Sequence, residues 1–411
     1  MTDTLKPNNA AQVLEAVKWA AAEGNALEVV GRGSKRGFGR AVAPRLGLDL
    51  SGLSGIGGYE PSELFMTAFT ATPMAEIEAA LRQNNQQMAF EPADLGPLFG
   101  GDEDEGTIGG AIACNLAGPR RIKVGAARDH FLGFSAVSGR GEVFKSGGTV
   151  VKNVTGFDLS KLIAGSFGTL AVMTEVTFKV LPAPEKTRTV LILGLDDAAA
   201  AMTMARALGS AHDVSSAAHL PTVAARRSRV SYVAGAGRAV TAMRVEGPGP
   251  SVEHRCRALK ALLKGKGDIE ELHSENSRTL WREIRDAALL GAAAGDPKAR
   301  QVWRLSVPPM AGPGAAEALA RELAGEAFYD WGGGLVWLAI AARPDAGHRE
   351  VRAAVAAAGG HATLVRAADA VRARVPVFEP QAARLAALTA RVKEAFDPNG
   401  VLNPGRMYEG V

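Results

Sequence analysis

The sequence predicts an α+β protein in more than one part, and three observations carry that expectation. Between Gly106 and Pro182, glycine-rich turns separate apolar runs and lead into Leu170 to Val180, which alternates as a long strand should. At Pro182-Ala183-Pro184 the alternation stops, and from about Thr187 alanine-rich helical stretches alternate with short strands. At 411 residues the chain is long enough for two or three domains with substantial cores, and no repeat of fixed period runs through it.

In chain order, the first element is a helix over Gln12 to Ala22, where Val13, Ala16, Val17 and Ala20 share one face and the Asn8-Asn9 pair caps the start. Leu27 to Val30 reads as a short buried strand running into the glycine loop Gly31-Arg32-Gly33-Ser34-Lys35-Arg36-Gly37-Phe38-Gly39. Leu46 to Leu50 is the next strand, and Tyr59-Glu60-Pro61-Ser62 is a turn that opens a second subdomain. Leu64 to Thr70 follows as a strand, then Thr72-Pro73 as the N-cap and first-position proline of a helix over Met74 to Gln83. Gln87 to Phe90 extends before the turn Glu91-Pro92-Ala93-Asp94. Leu132 to Ser138 and Glu142 to Ser146, parted by Gly139-Arg140-Gly141, form a hairpin. In the second part, strands are expected at Arg188 to Leu193, around Arg244-Val245, at Val302 to Val307 and at Leu335 to Ile340. Helices are expected at Asp196 to Leu208, from a Ser251 cap through Leu263, and at Ser277 to Ala293, Gly314 to Ala324, Arg349 to Ala358 and Gln381 to Phe396.

Composition narrows the function classes. The hydrophobic share is 47%, and the formal charge of +4 arises from basic residues dispersed among 43 acidic ones, so no nucleic-acid partner is expected. No run reaches the roughly 18 apolar residues of a spanning helix, and the start Met1-Thr-Asp-Thr has no export pattern, so a cytoplasmic location is expected. Cys114 and Cys256 form no paired motif, which excludes a four-cysteine iron–sulfur cluster within this chain. His212, His219, His254, His273, His348 and His361 show no short ligand spacing, and no metal site is expected.

Two stretches carry chemistry. The loop from Gly31 offers consecutive N–H groups, a concave anion site that needs no helix behind it, although the same glycines could serve only to turn the chain. A Rossmann reading fails, because the third glycine of its fingerprint would fall on Arg36 and no amphipathic helix follows. Thr107-Ile108-Gly109-Gly110 and Asn115-Leu-Ala-Gly118-Pro-Arg120 give backbone with little side-chain cover, suited to a large flat ligand lying on main-chain N–H groups. The acidic run Asp102 to Glu105 reads as a solvated loop and receives no function.

Together with Lys152-Asn153, Gly156-Phe-Asp-Leu-Ser160, Trp303-Arg304, Asp330-Trp331-Gly332-Gly333, Gly359-Gly360-His361 and Asn403-Pro404-Gly405-Arg406-Met407-Tyr408, these stretches resemble the vanillyl-alcohol-oxidase-type (PCMH) flavoproteins, and within them the FAD-binding subunits of glycolate oxidase. The resemblance spans nearly the whole chain. It implies two FAD-binding subdomains at 1–60 and 61–186, an α+β cap with an antiparallel sheet at 187–380, and a segment 381–411 that returns to the FAD domain. It maps Gly31, Gly33, Ser34 and Lys35 onto the FAD pyrophosphate and Pro92 onto the length of the cofactor. Thr107, Gly109, Gly110, Asn115, Gly118, Arg120, Gly125 and Arg128 map onto flavin and ribityl contacts, and Val172 and Glu175 onto the adenine end. Among these, Arg120 or Arg128 is the positive group expected to favour the reduced flavin. The FAD is expected to be non-covalent, since residues 31 to 39 contain no histidine.

The reaction implied is oxidation of glycolate, a small 2-hydroxy acid, to glyoxylate. Arg304 and Arg406 are candidates to grip the substrate carboxylate, and His361 is the candidate base. Arg304 equally suits a structural carboxylate, and His361 a loop carbonyl. The resemblance also implies a second flavoprotein subunit and an iron–sulfur subunit as partners, with any membrane association peripheral and made through them. Two further readings stay open, a non-catalytic or electron-relay subunit whose partner holds the substrate site, and a stand-alone oxidase.

Overall fold

The computed structural model describes residues 3–42, 46–149, 156–290 and 300–411. The Lys152-Asn153 pair and the end of the expected 277–293 helix lie outside the described residues. Two compact units emerge, one made of Met1–Ala117, Gly125–Pro182 and Pro376–Val411, the other of Gly118–Val124 and Ala183–Val375. The boundaries expected after residues 186 and 380 fall after 182 and 375, and the short segment 118–124 joins the second unit.

Among the described residues the first unit holds ten strands: β1 (Thr4–Leu5), β2 (Leu27–Val30), β3 (Leu46–Asp49), β4 (Ile56–Glu60), β5 (Phe65–Phe69), β6 (Gln86–Gln87), β7 (Phe131–Ser138), β8 (Val143–Gly147), β9 (Ala171–Lys179) and β10 (Leu181–Pro182). A parallel sheet of order β1-β3-β2 packs Leu27 and Leu48 against Val13, Val17 and Ala20 of the Ala10–Glu23 helix, whose N-cap Asn9 accepts from the Gln12 N–H. A five-stranded antiparallel sheet of order β4-β5-β9-β7-β8 buries Met66, Ala68, Phe131, Phe134, Val176 and Phe178 with Ile77 and Leu81 of the Met74–Gln83 helix. That helix starts without the expected Thr72 cap. Thr72 Oγ1 donates instead towards the Gly55 and Phe69 carbonyls, and Pro73 takes the cap position. The segment before Pro61 is strand β4 rather than a domain-opening turn, because Tyr59 and Glu60 pair with Met66 and Phe65.

The C-terminal segment closes this unit. The Ala383–Phe396 helix ends at Asp397, and Leu402 then bridges Leu27 in parallel on the open edge of β2. Lys393 and Asp397 lock the return. The buried ammonium donates to Asp397 Oδ2 (2.6 Å), Thr169 O (2.7 Å) and Leu402 O (2.8 Å), while the carboxylate accepts from the Val401 and Leu402 N–H groups.

Among the described residues the second unit is built on one eight-stranded antiparallel sheet: β11 (Lys186–Leu193), β12 (Val214–Leu220), β13 (Val240–Gly247), β14 (Asp268–His273), β15 (Arg300–Ser306), β16 (Glu326–Asp330), β17 (Leu335–Ala341) and β18 (His361–Arg366). Its order is β14-β11-β13-β12-β16-β17-β15-β18. The helices Asp197–Leu208 and Gly249–Leu262 cover one face, packing Met204, Val252 and Leu259 on Val190, Ile192 and Met243. Ser251 lies inside the second of these helices rather than capping it, and the helix expected from Ser277 runs over Ser274–Arg285. Four strands, β12, β14, β16 and β18, fall outside the expected ones. In β12 all seven residues are buried, which erases alternation, and β14 and β18 are sheet edges rich in polar groups.

Candidate functional site

An open cleft lies within the first unit. Its walls come from the end of β2, the loop from Gly31 to Arg36, the start of the Ile108–Ala113 helix, the Phe167-Gly168 turn, Ala171 and Met173 of β9, and Asn403 and Arg406 of the returning segment. Of the residues expected at a cofactor site, Gly31, Gly33, Ser34, Lys35, Thr107, Gly109 and Gly110 line it.

Among the described residues, the loop presents a run of backbone N–H groups without acceptors. Two overlapping turns close it through Arg36 N–H to Gly33 O and Phe38 N–H to Lys35 O, both 3.0 Å. Among the described residues no acceptor is found for the N–H groups of Gly31, Arg32, Gly33, Ser34 and Lys35. Half-buried Lys35 donates to the Ser34 hydroxyl at 3.2 Å, and no ion pair is found for it among the described residues. Burial pushes its pKa below the ordinary lysine value, with Cys114 and Asp94 pulling the other way. The neighbouring charges are engaged elsewhere. Arg32 pairs with Glu105, so the acidic run is partly tied down rather than simply solvated, and Arg36 pairs with Glu28.

The Thr107 stretch works differently from the expectation. Thr107 caps a helix, its Oγ1 accepting from Gly110 N–H, while the Ile108 and Gly109 N–H groups donate to Thr72 O and Thr70 O and that of Ala111 to Thr107 O. These four N–H groups are therefore spent on the fold. What the stretch offers is the Thr107 hydroxyl proton and a wall without side chains. A Cβ on Gly109 would sit 1.9 Å from Thr70 Oγ1, so only glycine fits there.

Other expected contacts fall away from this cleft. Pro92 is buried outside it, and Asn115 Oδ1 accepts from Arg128 N–H, whose guanidinium in turn donates to Lys161 O. Gly125 makes a left-handed turn against Asp129, which caps the Ala126 N–H. Val172 buries its side chain in the core beneath the parallel sheet, and Glu175 is paired into β9 between Phe69 and Ser135. Arg120 and Gly118 belong to the second unit. Arg120 makes a two-pronged bond to buried Glu246 (2.9 and 2.7 Å), and the Gly118 carbonyl accepts from Trp331 Nε1. Arg120 is thus a partner of a carboxylate, not a charge left over for the flavin. Glu246 also accepts from Ser215 and Thr187, and despite its burial the Arg244 and Arg120 charges hold its pKa well below the carboxylate range.

The three expected catalytic groups divide between the units. Arg406 lines the cleft, but its guanidinium donates to the carbonyls of Lys35 (3.2 Å), Arg36 (2.8 Å) and Arg40 (3.3 Å). Those bonds make it part of the loop's support rather than a carboxylate grip. Arg304 and His361 lie on the second unit's sheet. In the β15–β18 register Ser306 faces His361 and Arg304 faces Thr363, so all four share one sheet face. Trp337 of β17, opposite Arg304, joins them. This face is turned away from the Gly312–Glu322 helix, since Trp303 and Leu305 occupy the alternate positions and Val336, opposite Leu305, approaches Gly312.

Asn403 is the site residue that the sequence reading passed over. Its Oδ1 accepts from Val29 N–H (2.8 Å) and its Nδ2 donates to Phe167 O (2.7 Å), so one amide ties three segments of the cleft wall together. Its place in Asn403-Pro404-Gly405-Arg406 was the only signal.

An N–H cradle beside a half-buried lysine, opening onto a side-chain-free wall, fits an extended dinucleotide with a diphosphate at its centre. A family model described as FAD binding domain matches residues 4–147, and one described as FAD linked oxidases, C-terminal domain, matches residues 378–407. The fold is shared with p-cresol methylhydroxylase at a TM-score of 0.73 and 15% identity, over 98% of this chain and 88% of that one. Fold and cleft together define an FAD-binding flavoprotein of the PCMH type. The chain is 35% identical to the glycolate oxidase subunit GlcE of Escherichia coli (strain K12) over 96% of both chains. It is also 32% identical to glycolate oxidase subunit GlcD of Bacillus subtilis (strain 168), over 46% of this chain and 41% of that one. The chain belongs to the GlcE family of FAD-linked glycolate oxidase subunits.

Proposed function

We propose that this chain is the FAD-holding subunit of a complex that oxidises glycolate, or a close small 2-hydroxy acid, to the 2-oxo acid. The observation that carries the reading is the meeting of Arg304, His361 and Trp337 on one sheet face of a chain that is a relative of glycolate oxidase subunits. In this reading the FAD is non-covalent, and Gly31, Gly33, Ser34 and Lys35 hold its diphosphate while Thr107, Gly109 and Gly110 border the cofactor. Bound FAD supplies a two-electron acceptor for the hydride of the substrate α-carbon. Arg304 offers two parallel N–H donors to the substrate carboxylate, and His361 takes the hydroxyl proton as the carbonyl forms. Electrons would leave through an iron–sulfur subunit, with a GlcD-like flavoprotein as the other partner, and any membrane association would be peripheral. Among the described residues no helix is long and apolar enough to cross a membrane.

A second reading has one observation in its favour. Arg406, a candidate for the substrate carboxylate, is committed to loop carbonyls, which leaves Arg304 to do that work alone. On that reading the chain relays electrons for a partner that holds the substrate.

The test is anaerobic and uses the purified chain with FAD bound. Glycolate is expected to bleach the oxidised-flavin band, and Arg304→Met to raise the substrate concentration needed by roughly tenfold or more, the value of a lost two-pronged charged bond. No bleaching in a sample that dithionite still reduces refutes catalysis by this chain alone and leaves the relay reading.

A further inference from the structure

We infer that Arg406 is a positioning residue for the anion loop: it holds the carbonyl side of residues 35–40 so that the loop's N–H groups stay turned towards the cofactor diphosphate. The inference rests on the reading of Gly31 to Lys35 as the diphosphate site. A glycine-rich loop can present either face of a peptide, and a carbonyl turned into the cleft would repel a diphosphate where an N–H attracts it. Arg406 biases that choice by holding the carbonyls. Its guanidinium, a rigid planar fork of donors, spans the carbonyls of Lys35, Arg36 and Arg40. Lys35 O also accepts from Phe38 N–H, so the fork sits on the turn that shapes the loop.

The clamp is held at both ends. Arg40 N–H donates to Arg406 O at 2.9 Å, and the Arg40 guanidinium reaches Gly405 O at 3.4 Å. Three residues upstream, Asn403 fastens the same segment to β2 and to the Phe167 turn. The C-terminal segment therefore completes a site whose ligand-facing groups lie more than 360 residues earlier in the chain.

The experiment titrates the apo chain with FAD and with riboflavin, which lacks the diphosphate, at several salt concentrations, and follows hydrogen exchange of the loop amides. Arg406→Gln keeps an amide N–H donor for a loop carbonyl but loses the fork and the charge, and Lys35→Met removes the charge of the lysine that lines the cleft. The expected result for R406Q is FAD affinity down about tenfold or more, riboflavin affinity unchanged, faster exchange at Arg36 and Phe38, and the parent salt dependence retained. For K35M, weaker FAD binding is expected together with a shallower salt dependence. The inference is overturned if R406Q leaves FAD affinity or loop exchange unchanged, or if it flattens the salt dependence as K35M does, since Arg406 would then act directly on the phosphates. If K35M leaves FAD affinity untouched, the loop is not the diphosphate site and the underlying reading fails instead. Should the glutamine variant not fold, R406K, which keeps the charge and loses the fork, is read by FAD affinity and loop exchange.

Discussion

The Lys393–Asp397 pair holds the whole returning segment, and its removal should undo the FAD-binding unit. Lys393→Met keeps the length of the side chain and deletes the ammonium. Three acceptors then lose a donor: Asp397 Oδ2, Thr169 O and Leu402 O. Asp397 is fully buried, so its carboxylate is left facing a void of charge, although the Val401 and Leu402 N–H groups still hold it. Breaking a buried pair by removing one partner costs about 3–5 kcal/mol, and the two remaining N–H bonds place the expected loss near the lower end, about 3 kcal/mol. Urea unfolding followed by flavin fluorescence reads this directly, because the released tail carries Asn403 and Arg406 out of the cleft. FAD should be lost at lower urea than the global transition seen by far-UV circular dichroism. A K393M protein within about 1 kcal/mol of the parent, with FAD retained to the same urea concentration, would show that the tail is held by apolar contacts instead.

Two further outcomes are expected. Glu246 has a folded-state pKa held below its ordinary 4.5 by Arg244 and Arg120, so its contribution to stability is complete above about pH 4.5 and shrinks as pH falls below that value. Glu246→Gln should lower stability at pH 7 and flatten the acid limb of a stability–pH curve measured by urea midpoints; an unchanged acid limb refutes the assignment. Gly109→Ala places a methyl 1.9 Å from Thr70 Oγ1 and 2.6 Å from the backbone oxygen Thr70 O, and should cost a few kcal/mol of stability with a loss of FAD affinity measured by fluorescence titration. Parent-like affinity and stability in that variant would mean the cleft wall can yield.

What the sequence determined by itself were features whose cause is local. The Ala10–Glu23 and Met74–Gln83 helices, the β7–β8 hairpin and the long β9 strand follow from side-chain period and glycine turns, which neighbours in sequence create between themselves. The open N–H groups of the loop from Gly31 to Lys35 were legible for the same reason, since glycines in a turn leave the backbone uncovered. Tertiary structure decided what each charged side chain does. Arg120, Arg406 and Arg304 are the same residue type in motif-like settings, yet one closes on Glu246, one on loop carbonyls, and one stands on a sheet face beside His361. A guanidinium satisfies whichever acceptor folding brings to it, and Glu246 lies 126 residues from Arg120 while Lys35 lies 371 from Arg406. The same holds for β12, whose burial on both faces removes the alternation that would reveal it. Long-range pairing of acceptors with donors is a property of the folded chain, and no local pattern encodes which partner arrives.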